Sequence, residues 1–569
     1  MKKFLFLAVV FAGIVFGQNQ FGEPIFNLES IINDPLDAKI LNETKKENVC
    51  FREVEFTSEF YQGKPVRIYG IVAFPENAKS FPAIFWSQAG MSPANRGMPE
   101  LFAKRGYVCM CVTLPHSIWN PNLPFNTRNP LDANMTHYAI AQMRAITYLA
   151  GIPEVDPEKI GIGGSSYGGF FSTLIAGADP RVKCGMSFFA GGNMEYGTHI
   201  PQFTLLETQK DVEIWNRTID PALRLKYRKV PFLWGIAAND NWFYLPSVVK
   251  TYQESIGDKR MVIVPMWEHG FPEEIDEQLF SWFDVYLKNS RKPYNEVSGL
   301  IIKRKDNRLF ASWSFRGENK VKKCELVISY GKISPWKWWI YRNHLVFPAK
   351  ISGNSASCEI PVVEPGMEML VYGNIIDENG FAISTVPVQI RALDFGIKKA
   401  NCSQRFNLFQ WKNFNEETKK NFERMGMTGF VFDSNIKMDN TPGIRIEPSK
   451  LRKPGEIRFK LHHVPQHSHI FKLWIRAEKK TEINVSIRAI DLPDANSKIV
   501  KLLRGNSAER SGLPVFTKTF SVDDNWKVVE VQCPYRNEDI EGYQLAISCR
   551  EPVVYWISKI IFEPVWGKW

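Results

Sequence analysis

The first half of the chain alternates short apolar runs with segments of helical period. Residues 83–85 and 230–237 are continuous apolar runs of the kind a parallel strand covered on both faces displays. Residues 159–163 and 260–265 read as two more strands. Between them, residues 132–150 put Met135, Ala139, Met143, Ile146 and Leu149 on one helical face. Residues 275–287 do the same with Leu279, Phe283 and Leu287, and residues 101–108 read as a helix feeding a strand. Strands alternating with helices of this length predict an α/β fold with a doubly wound, largely parallel sheet. The pattern changes after Asn289-Ser290-Arg291-Lys292-Pro293, where helical period gives way to short strand-like runs. They fall at 309–315, 324–330, 369–376 and 382–390, then at 455–461, 471–477, 482–490, 526–532 and 544–549. Turn signals separate them, which predicts two β-sandwich regions, 296–394 and 400–569.

One strand end carries chemistry. The 159–163 strand runs into Gly164-Ser165-Ser166-Tyr167-Gly168, and a helix-like segment follows. A sharp strand-to-helix turn strains the serine backbone and lifts its hydroxyl above the sheet edge. Gly164 and Gly168 flank it because a side chain at either place would crowd the turn. A serine needs a base, and the base needs an orienting acid. In such a sheet the chain order is Ser, then Asp or Glu, then His. Asp240 follows the 230–237 strand and His269 follows the 260–265 strand, so both fall at the sheet edge that carries Ser166. Ser166 is the candidate nucleophile, His269 the base and Asp240 the acid that fixes its tautomer. Glu268 adjoins His269 on a tight loop and points elsewhere, and Asp284 reads as a solvated helix position. His116, His137 and His199 do not fit the order.

On these motifs residues 50–292 resemble the α/β-hydrolase superfamily, within it the acetyl xylan esterase, dienelactone hydrolase and prolyl oligopeptidase group. Early strands at 51–58 and 70–75, and Pro153-Glu154-Val155-Asp156-Pro157 ahead of the nucleophile strand, extend the likeness over somewhat less than half the chain. The resemblance implies an exported serine hydrolase that cleaves acyl esters, acetyl by analogy, on a carbohydrate or small ester substrate and without a cofactor. It also implies an oxyanion hole built from the backbone N–H of Tyr167 and one near Gln88 or Ala89. Here the chain departs from the group, with Trp86-Ser87-Gln88-Ala89-Gly90 where relatives carry a glycine pair. Trp86, Trp242 and Trp267, with Trp119, fall at loop ends where they would wall a sugar-binding cleft. The alternative is a prolyl oligopeptidase-type peptidase; such peptidases carry a large N-terminal gating domain, whereas residues 18–49 read as a loose arm. A third reading is a binding protein with an inactive hydrolase domain, which the Ser-Asp-His set weighs against. The 191–229 excursion is where this fold inserts a cap. Its Tyr196, Phe203, Trp215, Arg224, Lys226, Tyr227 and Arg228 either meet substrate or pack the excursion down. Region 296–394 is similar in pattern to immunoglobulin or fibronectin sandwiches. Region 400–569 resembles a jelly-roll carbohydrate-binding module in length and texture.

Composition adjusts this picture in four places. Residues 1–17 combine Lys2 and Lys3 with an apolar stretch too short to span a membrane, as a cleaved signal peptide does, so the mature protein is expected to be secreted or periplasmic. A total of 71 Lys and Arg against 60 Asp and Glu gives +11, enough for weak attraction to polyanions, but no nucleic-acid motif accompanies it. Nine cysteines leave at least one thiol unpaired; Cys109, Cys111 and Cys184 read as small core residues, and Cys324 with Cys358 could bridge. No metal is expected: His462, His463, His467 and His469 cluster around a Val-Pro turn and read as a solvated loop. Trp336, Trp338, Trp339, Trp411 and Trp569 are sandwich core or, less in keeping with their type, sugar platforms.

Overall fold

The computed structural model describes residues 25–90, 92–115, 132–270, 273–333, 342–402, 409–411, 430–439, 441–450, 456–461, 464, 467–490, 497–504, 514–533, 542–549 and 551–565. The leader at 1–17, His116, Trp119, Trp336, Trp338, Trp339, His462, His463, Trp569 and the side chain of Trp411 lie outside the described residues. The chain divides into two compact units. One runs to Val297 and adds Phe315–Lys322 and Ile375–Val386; the other takes Ser298–Ser314, Lys323–Asn374 and Pro387–Trp569. Region 400–569 thus lies wholly in the second unit, whereas region 296–394 is divided between the two.

The first unit is built on a nine-stranded sheet. Its strands are β1 (Lys39–Lys46), β2 (Val49–Tyr61), β3 (Lys64–Pro75), β4 (Phe81–Ser87), β5 (Val108–Val112), β6 (Val155–Ser165), β7 (Val182–Phe188), β8 (Phe232–Ala237) and β9 (Lys259–Val264), in the order β1-β2-β3-β5-β4-β6-β7-β8-β9. The first four in that order pair antiparallel, and every pair from β5 to β9 is parallel. Helix α1 (Leu28–Asn33) precedes β1, and helices cross between the parallel strands: α2 (Gly97–Lys104), α3 (Asn134–Gly151) and α4 (Tyr167–Ala178) precede the excursion, and α5 (Pro201–Thr204), α6 (Gln209–Thr218) and α7 (Ala222–Leu225) fill it. Then α8 (Leu245–Glu254) and α9 (Glu273–Tyr286) close the unit. Strands β5 and β8 are buried along their whole length, which is why they read as unbroken apolar runs. Edge strand β9 is covered by the segment Ala382–Ser384, where Ser384 Oγ accepts the Ile263 N–H at 2.8 Å. This contact explains why a stretch so distant in sequence belongs to the first unit.

One expectation for this unit needs correcting, and one open choice is decided for four residues. Residues 25–49, the described part of that segment, are not loose: α1 is tied to α3, with Arg144 donating to the carbonyls of Ile31, Asp34 and Pro35 at 2.8–3.0 Å, and β1 pairs with β2 from Lys39 to Lys46. Excursion residues Phe203 and Trp215 pack edge to face at 5.6 Å, and buried Arg224 covers the Phe26 ring. Arg228 donates to the carbonyls of Ala176 and Asp179 at the end of α4, and to those of Pro180 and Val182 at 3.0 and 2.6 Å. These four residues hold the excursion in place, while Tyr227 stays exposed.

Among strands that lie mainly in the second unit, Arg308–Arg316 pairs with Ile301–Lys305 and with Ser355–Ile360, and Val321–Tyr330 pairs with Leu345–Pro348. Farther on, a six-stranded and a four-stranded sheet contribute to one apolar cluster that includes Phe471, Leu473, Ile557 and Phe562 from the first and Ile457, Val485, Ile487 and Leu545 from the second. Alternate residues of His469–Ala477 point into it, the pattern of a strand with one covered face. His469 is one of them: it is fully buried, stacks on Phe562 at 4.4 Å and accepts the Val464 N–H. The solvated-loop reading is thus wrong for His469. Cys324 and Cys358 are free thiols and do not bridge.

Candidate active site

Ser166 sits between β6 and α4 with φ 57° and ψ −118°. Positive φ at a non-glycine residue is strained and persists only where its surroundings fix it. Here the Ser166 N–H donates to the Phe188 carbonyl at 2.9 Å, and its own carbonyl accepts the Phe170 N–H at 3.0 Å. The flanking glycines are a steric requirement. A β-carbon on Gly164 would lie 2.5 Å from the Gly168 backbone, and one on Gly168 would lie 2.0 Å from the Ser87 carbonyl oxygen. The turn is therefore pressed against the end of β4, which places Gln88 and Ala89 in the loop beside it. Tyr167 opens α4 and is buried.

The loops after β8 and β9 bring Asp240 and His269 together. The Ala238 N–H donates to the Val264 carbonyl and the Asn239 N–H to the Trp267 carbonyl, both at 2.9 Å, so the two loops leave the sheet side by side. Asp240 is fully buried. Its Oδ1 accepts the backbone N–H groups of Trp242 and Phe243 at 2.7 and 2.8 Å, and its Oδ2 lies 2.8 Å from His269 Nδ1. Three N–H donors on one carboxylate offset its burial. An acceptor at Nδ1 keeps the proton there and leaves Nε2 as the free base. The imidazole sits among aromatic rings: Phe189 meets it edge-on at 5.0 Å, and Phe243 lies parallel to it at 6.4 Å. A hydroxyl on a strained turn, an ordered imidazole and a buried carboxylate thus stand at the carboxyl ends of β6, β9 and β8, the edge where open parallel sheets build sites. Glu268 is not the partner of His269 Nδ1; Asp240 is.

The tryptophans divide. Trp242 is 41% exposed and its ring centroid lies 6.4 Å from that of His269, while Trp267 is half-buried beside it. Trp86 does not wall a cleft. It is buried at the end of β4 among Phe102, Phe188 and Phe280, at 5.7, 5.8 and 6.0 Å. Several residues at this site were not singled out for it from the sequence. Phe189 has φ 44° and leads β7 into the site. Thr198 and His199 are buried and hold the Trp242 carbonyl. Gln142, whose Oε1 accepts the Ser87 hydroxyl at 2.6 Å, is a buried polar residue on the core side of α3. A polar position four residues from Tyr138 on that apolar face was the available clue to it.

No family model matches the chain. It is 25% identical over 253 residues to the acetyl esterase Axe7A of Xylanibacter ruminicola, across 39% of this chain and 56% of that protein. The chain is similar to α/β-hydrolase esterases. It spans just over half the length of the curated relative it matches. Among solved structures, an acetyl xylan esterase from Paenibacillus sp. R4 aligns with TM-score 0.38 and 15% identity, over 46% of this chain and 92% of that one. Acetyl xylan esterase 1 from Thermoanaerobacterium sp. JW/SL YS485 aligns with TM-score 0.36 and 14% identity, over 45% and 90%. For the fold, the weight lies on the sheet order and the turn at Ser166.

Proposed function

We propose that the protein is an exported serine hydrolase of carboxylic esters, acting on acyl groups, acetyl foremost, carried by carbohydrate. The observation that carries this reading is the 2.8 Å contact of His269 Nδ1 with buried Asp240, on the same sheet edge as strained Ser166. In the reaction, Ser166 Oγ attacks the acyl carbon and its proton passes to His269 Nε2. The negative charge that develops on the carbonyl oxygen is met by the N–H of Tyr167 and one from Gln88 or Ala89, at the positive end of the α4 dipole. His269 returns the proton to the departing sugar oxygen, leaving an acyl-serine. Water, deprotonated by His269, releases the acid and restores the hydroxyl. Asp240 keeps the imidazole in one tautomer throughout. Trp242 and Trp267 offer the leaving sugar a wall beside the base, and exposed Trp242 is suited to stack on a pyranose face. The likeness to an acetyl esterase supports the acyl group, and the apolar leader at 1–17 supports export.

The test is a panel of p-nitrophenyl acetate, acetylated xylan and a proline-containing peptide amide, each with wild type and Ser166→Ala. Release of acetate from the two esters, lost in the variant, is the expected result. Turnover of the peptide alone would move the protein to the peptidase class.

A further inference from the structure

We propose that Thr198 is a positioning residue for the catalytic carboxylate, acting through the backbone of Trp242. This rests on the reading of Asp240 and His269 as acid and base. The Asp240 carboxylate is aimed by two N–H groups, those of Trp242 and Phe243. Those donors are only as well placed as the peptides that carry them, and both lie in a loop. The Trp242 side chain is 41% exposed, so its burial anchors that loop only in part. The anchor is at the other end of the same residue. The Trp242 carbonyl accepts two hydrogen bonds, from Thr198 Oγ1 and from the His199 N–H, both at 2.8 Å.

The Thr198 hydroxyl is committed to this task. Its oxygen accepts the Ile200 N–H at 3.2 Å, so its own proton is directed at Trp242. Thr198 also bridges Phe243 across a two-residue antiparallel contact, and the Tyr244 N–H donates to the Gly197 carbonyl at 3.3 Å. Thr198 is completely buried and Phe243 nearly so. A continuous relay results: Thr198 hydroxyl to Trp242 carbonyl, Trp242 and Phe243 N–H groups to Asp240, and Asp240 to His269. The excursion between β7 and β8 thereby serves the triad through the segment that leads into α5. Misplacement of such a carboxylate by a fraction of an ångström reaches the base directly.

The experiment measures kcat and KM for p-nitrophenyl acetate on the full chain, for wild type, Thr198→Val, Thr198→Ser, Asp240→Asn and the Asp240→Asn/Thr198→Val double variant. Thr198→Val keeps the branched shape and removes the donor; the carbonyl retains its bond from His199, so folding is expected to survive. The expected result is a fall in kcat of about tenfold with KM within about twofold, and recovery in Thr198→Ser. In the Asp240→Asn background the same valine should change kcat by less than about twofold, because residues acting as one unit are not additive. A Thr198→Val enzyme with wild-type kcat would overturn the proposal. So would a tenfold loss that persists in the Asp240→Asn background, since Thr198 would then act on the fold and not through the carboxylate. Wild-type turnover by Asp240→Asn alone would instead remove the acid–base reading beneath it. If the valine variant does not fold, Thr198→Ala in the same cycle gives the same discrimination.

Discussion

A β-carbon on Gly168 would fall 2.0 Å from the carbonyl oxygen of Ser87, closer than any side chain can approach a backbone. That single distance fixes how the nucleophile turn is seated on β4. Gly168→Ala must push α4 away from β4 or fail to fold, and an overpacking cost of about 3 kcal/mol follows. Gly164→Ala meets the Gly168 backbone and Ser87 at 2.5–2.6 Å and should behave alike. Gly151, at the end of α3, has open space around it, and Gly151→Ala should leave stability unchanged or slightly raised. Urea denaturation of the three variants checks the contrast; equal midpoints would contradict it.

The two tryptophans at the sheet edge should separate by the same measurement. Trp86 is enclosed by three phenylalanine rings, and Trp86→Ala should cost about 3–5 kcal/mol of stability. Trp242→Ala removes an exposed ring whose backbone does the structural work, and it should shift stability by less than about 1 kcal/mol. Its effect should instead be on KM for acetylated xylan, with little change for p-nitrophenyl acetate, which has no sugar to stack. An unchanged KM on xylan would take Trp242 out of the substrate wall.

Thiol chemistry offers a third check. Cys109, Cys111 and Cys184 are buried in the central strands, and burial pushes the Cys111 thiol up to about 12. Desolvation raises Cys109 and Cys184 as well. Thiolate is the reactive form, so these three should escape iodoacetamide at pH 8 in the native protein and react once it is unfolded. Peptide mapping that found any of them modified without unfolding would contradict this packing.

Acid stability has a sign that can be worked out. Hydrogen bonds from Arg96 and Arg105 hold the carboxyls of Glu53 and Glu277 below their ordinary value of 4.5. The native state then binds fewer protons than the unfolded chain. The stabilisation is fully present above the ordinary value and is lost as pH falls through the lowered one. Both pairs are partly exposed, so each contribution is small. Urea midpoints measured from pH 6 to pH 3 should fall, and Glu277→Gln should fall less steeply. Parallel slopes would exclude the Arg105 pair as a contributor.

Much of the candidate site was legible in the sequence because its signals are local. A glycine two residues either side of Ser166, and polar residues directly after apolar runs, are patterns that a strand end imposes on its own neighbours. Trp86 misled because alternation cannot tell core from cleft at the end of a strand buried on both faces. Strand β1 was invisible for the opposite reason. Lys39-Ile40-Leu41-Asn42-Glu43-Thr44-Lys45-Lys46 is an edge strand exposed along nearly its whole length, so no hydrophobic period is written into it. His469 was read with its polar neighbours, whereas the strand it begins turns it inward onto Phe562. The grip of Thr198 on Trp242 leaves no pattern at all, because a hydrogen bond to a backbone carbonyl 44 positions away constrains no residue type at the far end.

The central claim, that Ser166 is a nucleophile activated by His269, is tested most directly by covalent capture. The full chain is treated with a fluorophosphonate and digested, and the labelled peptide is mapped, for wild type, Ser166→Ala and His269→Ala. Stoichiometric label on Ser166 in wild type, none in Ser166→Ala and labelling slowed by about a hundredfold or more in His269→Ala is the predicted result. Label on another residue, or equal rates with and without His269, would contradict it.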